Sequence, residues 1–175
     1  MTARDGRLLV AGGRNYEWTR CDHYGVRYCE DERPDMRWYS PAWLDPSLAP
    51  LRPRITAAPT DAQGAPVPRA SALPALSLGG RFRAQVATDR PAGCATAMRA
   101  VLLGLPAQTH AFDMNQRRVP LATTSTREGV EFQLPASASE LPPGPYQLVV
   151  VRDVRVRASG ATVHLPSVAQ TVIVR

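Results

Sequence analysis

The chain has 175 residues, 44% of them hydrophobic, with 17 Pro and 12 Gly. That length suits one ordinary domain with a short appendage, is cramped for two, and contains no apolar run near the roughly 18 residues that cross a bilayer. The net charge of +6 raises the question of an acidic partner, but all 21 basic residues are Arg, scattered singly or in pairs, so no nucleic-acid arm is expected.

The first residues, Met1 to Arg7, lack the charged, apolar and small-residue layout of a secretory signal. The expectation is a chain that stays inside the cell or one whose true N-terminus is missing, and the residence of the protein is left unknown. Cys21, Cys29 and Cys94 are odd in number, so at least one thiol is unpaired within the chain. Cys21 and Cys29 could close a loop disulfide, and Cys21, His23 and Cys29 could be imagined as a zinc cluster. Metal-ligand pairs normally come at tighter spacing, however, and structural or unpaired thiols are the favoured reading.

In chain order, Asp5 to Gly13 reads as a turn, one short buried strand and a glycine stop. Arg14 to Arg37 shows neither periodicity and reads as a long loop. Trp38 to Leu44 reads as a further strand ending at Pro41, and the proline-punctuated stretch 45–53 as an extended linker at a domain boundary. Trp18, Trp38 and Trp43 would supply aromatic anchor area in this first segment, either for a partner or for packing against the next domain.

From Arg54 onward, short apolar alternations separated by Pro, Gly and Ser predict an all-β sandwich of about seven strands. The expected strands are Arg54 to Ala57, Leu76 to Leu78, Arg81 to Ala87, Met98 to Gly104, one or two around His110 and Val119 to Ala122, Val130 to Gln133, Tyr146 to Val156 and Val168 to Val174. Asp61 to Pro74 has no period and is expected to be a mobile insertion. Pro91 to Leu103 has mixed helical and strand features. Pro142 to Pro145 turns into the apolar strand at Tyr146, and Arg152 to His164 reads as an extended hairpin turning at Ser159-Gly160.

The segment Thr109-His110-Ala111-Phe112-Asp113-Met114-Asn115-Gln116-Arg117-Arg118-Val119-Pro120-Leu121 resembles the C-terminal domain of galactose oxidase-like and glyoxal oxidase-like copper radical oxidases. Further pieces lie in family order. Asp5 to Gly13 resembles the last strand of a kelch-type propeller, Tyr39 to Leu44 its exit, and Arg52-Pro53-Arg54-Ile55 the opening of the tail domain. Pro143-Gly144-Pro145-Tyr146 and Pro166 to Ala169 resemble the closing strands. The resemblance implies an immunoglobulin-like, early-set β-sandwich over residues 52–175, preceded in residues 1–51 by a remnant of a propeller blade and a linker. The longer 152–164 hairpin and the 61–74 insertion depart from the family pattern.

In that family the tail domain sends a hairpin into the pore of a propeller, where its His reaches copper. By resemblance His110 is the candidate copper ligand, Asp113, Asn115 and Gln116 would fix the hairpin and the groups around it, and Arg117 and Arg118 would pair with propeller groups. Neutral imidazole suits Cu(II). The other ligands that the resemblance implies, two Tyr, one of them cross-linked to Cys, and a second His, belong to a propeller that this sequence does not contain. The implied partner is therefore a propeller lying upstream or encoded separately. No cofactor is expected on the isolated chain, copper being expected in intact relatives, which are commonly exported.

The first functional expectation is a C-terminal portion of such an oxidase, inactive alone. In intact form it would carry out two-electron oxidation of an alcohol or aldehyde with reduction of oxygen to hydrogen peroxide. The alternative is a stand-alone, non-catalytic immunoglobulin-like module that docks on a separate propeller. An independent hydrolase is disfavoured, because the serines lack a nucleophile elbow and the carboxylates are not paired.

Overall fold

The computed structural model describes residues 7–11, 14–20, 27–32, 36–87, 97–109, 112–155, 160 and 162–175. Before the sandwich, β1 (Leu8–Ala11) pairs antiparallel with β4 (Met36–Tyr39), and between them β2 (Arg14–Arg20) pairs with β3 (Arg27–Glu32). The long loop expected over 14–37 is thus largely an antiparallel strand pair. Its residues lack apolar alternation, yet Tyr16 faces Glu30 and Trp18 faces Tyr28 across the ladder, and aromatic residues favour a strand without any apolar period.

The strand expected through Pro41 ends at Tyr39, and Ala42–Leu44 forms a 3-10 turn. The linker is not extended either: Pro46–Leu51 is a second 3-10 turn, capped by Asp45, whose Oδ1 accepts from the Ser47 N–H at 2.8 Å and from its hydroxyl at 2.6 Å. Proline fixes the backbone φ that such a turn needs. Pro41 and Pro53 are buried. Arg52 Nε donates to Pro166 O at 2.6 Å, and Arg152 Nη1 donates to Leu51 O at 3.0 Å, so the linker is tied to the sandwich from both sides.

Five strands form one sheet. β9 (Arg81–Ala87) buries Phe82 and Ala84 and exposes Arg81, Arg83 and Gln85, the alternation read from the sequence. It pairs with β15 (Gly129–Gln133), which buries Val130 and Phe132, and the sheet order β14-β15-β9-β5 is completed by β6 on β9. Here β5 is Arg54–Ile55, β6 Thr60–Asp61 and β14 Ala122–Ser125. Phe82 and Phe132 face each other across the ladder with ring centroids 5.9 Å apart.

Seven strands form the other sheet, in the order β13-β10-β16-β18-β8-β7, with β17 also on β16. The members are β7 (Arg69–Ala70), β8 (Leu73–Leu76), β10 (Met98–Gly104), β13 (Arg118–Pro120), β16 (Gly144–Arg155), β17 (Thr162–Pro166) and β18 (Gln170–Val174). The remaining pair, β11 (Gln108–Thr109) with β12 (Phe112–Asp113), projects from it. The segment expected to be a mobile insertion therefore contributes β6, β7 and β8. It needs no apolar period because a local turn holds it, Asp61 Oδ1 accepting from the N–H groups of Gln63 and Ala65, while β8 lies parallel to β18 with Ala75 and Leu76 buried. The mixed segment resolves as strand over Met98–Gly104, and its preceding residues 88–96 lie outside the described residues.

The long hairpin is present. β17 and β18 follow one another along the same side of β16, joined where the Ser167 N–H donates to Val150 O at 2.8 Å and Ser167 Oγ accepts from the Val150 N–H at 3.0 Å. Of the turn expected at Ser159-Gly160, only Gly160 is among the described residues.

The chain changes sheets at Leu121, β13 pairing with β10 and β14 with β15. Beyond that corner two hydroxyls satisfy the β10 backbone: Thr123 Oγ1 accepts from the Ala100 N–H at 3.0 Å, and Ser125 Oγ accepts from the Met98 N–H at 2.9 Å. Between the sheets lies one apolar core that includes Leu76, Phe82, Leu102, Phe132, Leu141, Leu148, Val150 and Val172. Burying each of these large side chains stabilises the fold by roughly 1.5–3 kcal/mol.

Candidate functional site

The hairpin that carries the family-like segment leaves the sandwich between β10 and β13. Its stem is closed in steps: the Gly104 N–H donates to Arg117 O at 2.8 Å, Asn115 Nδ2 donates to Leu105 O at 2.7 Å, and the Met114 N–H donates to Ala107 O at 2.9 Å. Above these, Gln108 pairs with Asp113 and Thr109 with Phe112. A Cβ at Gly104 would lie 2.8 Å from Asn115 Nδ2 and 2.9 Å from Oδ1, so the stem needs glycine at 104 for the Asn115 side chain to reach Leu105.

His110, with Ala111, joins β11 to β12 and lies outside the described residues, as does the side chain of Asp113. Of the other residues singled out from the sequence, Asn115 is half-buried and donates within the stem, whereas Gln116 and Arg117 are exposed at its base beside Arg118. Neither Arg117 nor Arg118 makes an ion pair among the described residues. Met114, in the turn after β12, is 67% exposed.

The described residues contain no group of three or more His, Cys, Asp or Glu that could hold a metal ion. His164 is engaged elsewhere, its Nδ1 lying 2.7 Å from Asp153 Oδ1, while Arg99 Nη1 bonds Asp153 Oδ2 at 2.6 Å. Burial pushes the Asp153 carboxyl up, but hydrogen bonds from His164 and Arg99, with their charges, outweigh it and hold the group below the ordinary carboxylate range. This cluster sits around Asp153, six residues along β16 from Gln147 beside the hairpin stem, roughly 20 Å at strand spacing. The donor set present thus does not make a complete copper centre, and further ligands would have to come from outside the described residues.

Sequence reasoning passed over Gln147. It lies on β16 between the core residues Tyr146 and Leu148, so alternation turns it to the opposite face, where it is only 8% exposed. The ladders put Arg118, Leu103 and Gln147 in one row at the foot of the hairpin. A polar residue inside the apolar run 146–151 was the available signal.

The two sheets make an all-β sandwich, and the sequence match agrees with an early-set domain. Residues 66–174 match the galactose oxidase-like, early set domain family, and the chain belongs to it. The chain is 27% identical over 162 residues to Art an 7 of Artemisia annua, a protein named for a proposed aldehyde oxidase activity, in an alignment covering 92% of the chain and 24% of that protein. It is similar in fold to a fungal alcohol oxidase of the AA5 family solved in complex with copper, with TM-score 0.57 and 19% identity, covering 98% of the chain and 29% of the oxidase. The chain thus spans about a quarter of the length of each.

Proposed function

We propose that the chain acts as the C-terminal part of a copper radical oxidase, residues 52–175 presenting His110 on the 105–117 hairpin as one ligand of a centre completed by a propeller. The observation that carries this reading is the hydrogen-bonded stem, closed from Gly104–Arg117 to Thr109–Phe112, with His110 the next residue in sequence after Thr109. Family membership, a relative named for aldehyde oxidase activity and a copper-bound alcohol oxidase of like fold support it. The β1–β4 and β2–β3 pairs in residues 1–51 fit the remnant of a propeller blade.

In this role the chain's own residues do positional work. Asn115 and Gly104 hold the stem, and the sandwich anchors it. Copper, when bound, would supply redox chemistry for the two-electron oxidation of an alcohol or aldehyde, with dioxygen as the oxidant reduced to hydrogen peroxide. Alone, with one such imidazole, the chain is inactive.

The test compares the isolated chain with the same chain joined to a propeller module of the family, with and without His110→Ala. The joined protein is expected to bind copper with a Cu(II) spectrum that His110→Ala alters, and to produce peroxide from an alcohol or aldehyde. The isolated chain is expected to do neither. A joined protein whose copper spectrum and turnover ignore His110→Ala would refute the ligand role.

A further inference from the structure

We infer that the cavity at the foot of the hairpin is a carboxylate-binding site that receives an acidic side chain from the surface on which the hairpin docks. The cavity has a volume of about 220 Å3, and its lining includes Leu103, Pro106, Asn115, Arg117, Arg118 and Gln147. Three observations converge on its ligand.

First, Gln147 is 8% exposed, and its side-chain amide makes no hydrogen bond among the described residues. The amide is not sealed inside the protein but opens into the cavity, where a polar ligand can pair with it. Second, Arg117 and Arg118 line the same cavity without ion pairs among the described residues, and no acidic residue lines it. The cavity is therefore cationic, and the ligand that satisfies an amide N–H and an arginine together is an oxyanion with planar acceptors. Third, the site is built on strands: Arg118 faces Leu103 on one side and Gln147 faces it on the other. Donors on two strands flanking Leu103 are about 10 Å apart at ladder spacing, enough to straddle a carboxylate without meeting each other.

The cavity opens beside the hairpin stem, so whatever receives the hairpin covers it. A docking surface with an Asp or Glu at that point would be recognised by charge and by shape. Assigning the carboxylate to a docking surface rests on the reading of the hairpin given above, whereas the affinity for a carboxylate does not.

The experiment is an NMR titration of the full chain, labelled with nitrogen-15, following the Gln147 side-chain amide and the Arg117 and Arg118 Nε signals. The probes are acetyl-Gly-Asp-Gly-amide, its Asn counterpart, acetate, and sodium chloride at matched ionic strength. The Asp peptide is expected to give a saturable shift, at least tenfold stronger in affinity than the Asn peptide. Gln147→Leu and Arg118→Gln should each reduce that affinity at least tenfold. Gln147→Leu should keep the melting temperature, since the amide opens into the cavity and makes no hydrogen bond among the described residues.

Absence of a saturable shift, or an equal shift with chloride, overturns the site. A melting temperature several degrees lower in Gln147→Leu would give the amide a structural role and overturn it as well. Acetate binding as tightly as the Asp peptide overturns the docking source. None of these readouts uses copper or turnover, so a failure of the copper-ligand reading and a failure of this site are seen separately.

Discussion

Arg152 is the residue whose loss the structure predicts most sharply. It sits on the core face of β16, 2% exposed, with Nη1 donating to Leu51 O at 3.0 Å. Truncation to Ala removes a hydrogen bond from a charged donor, worth about 1.5–3 kcal/mol. It also removes the packing of the aliphatic stem, worth roughly 0.8 kcal/mol per buried methylene. Together with the carbonyl left behind, Arg152→Ala should cost about 3–5 kcal/mol, the range for breaking a buried charged contact. Arg152→Met keeps most of the stem and removes the charge, so its cost should fall to about 1–3 kcal/mol, chiefly from the bereft Leu51 carbonyl. Urea unfolding of the full chain and both variants measures these differences, and hydrogen exchange over residues 46–52 should rise in both. An Arg152→Ala protein within about 0.5 kcal/mol of wild type, the ordinary range of surface substitutions, would refute the reasoning that the guanidinium holds the linker in place.

Three further outcomes follow from the geometry. The Asp153 carboxyl is held low in the folded state, so its stabilising contribution is complete above the ordinary carboxylate value of about 4 and is lost as pH falls through the lowered folded value. Thermal melts across pH should show wild type ahead of Asp153→Asn at neutral pH, by no more than about 1 kcal/mol because the group is partly exposed, with the gap closing in acid; a gap that widens in acid would contradict the sign. Gly129→Ala would place a Cβ 2.1 Å from Ala84 O and 2.9 Å from Val86 N, and calorimetry should show a loss of about 2–3 kcal/mol or more as β9 and β15 are forced apart. Tyr146 is buried and its hydroxyl donates to Pro142 O at 2.8 Å across the turn into β16. Tyr146→Phe should therefore cost about 1 kcal/mol in chemical denaturation, and an unchanged midpoint would mean that water replaces the hydroxyl without loss.

The parts of the fold legible in the sequence are those where side-chain period and burial coincide. Arg81 to Ala87 and Val130 to Gln133 are legible in the residues themselves, because each strand alternates between a core face and a polar face. The β2–β3 pair was illegible for the opposite reason: a pair of strands rich in charged residues leaves no apolar period to read. Residues 60–76 escaped notice because their order comes from the Asp61 turn and from a parallel ladder to β18, remote in sequence. At the candidate site, His110 was reached through resemblance and not through spacing, since one histidine carries no metal-binding pattern by itself. Gln147 was hidden inside an apolar run, and only the register of β10 against β16 places it beside Arg118.

A ligand carried on a projecting hairpin meets a physical difficulty, since binding geometry must be held within about 0.5 Å while loops are the least rigid parts of a fold. The stem answers this by rooting both arms in the seven-stranded sheet. Gly104 ends β10, Arg117 precedes β13, and the hydrogen bond between them continues the ladder of those two strands into the hairpin. Asn115 then bridges to Leu105 through a space that exists because residue 104 has no side chain. The next ladder inward sets β10 against β16, whose length also carries Gln147 and Arg152. Gln147 at the cavity and Arg152 at the linker are therefore carried by one strand, with the hairpin stem one ladder away on β10, so a partner that grips the hairpin and the cavity together is registered against the linker through the β10–β16 ladder.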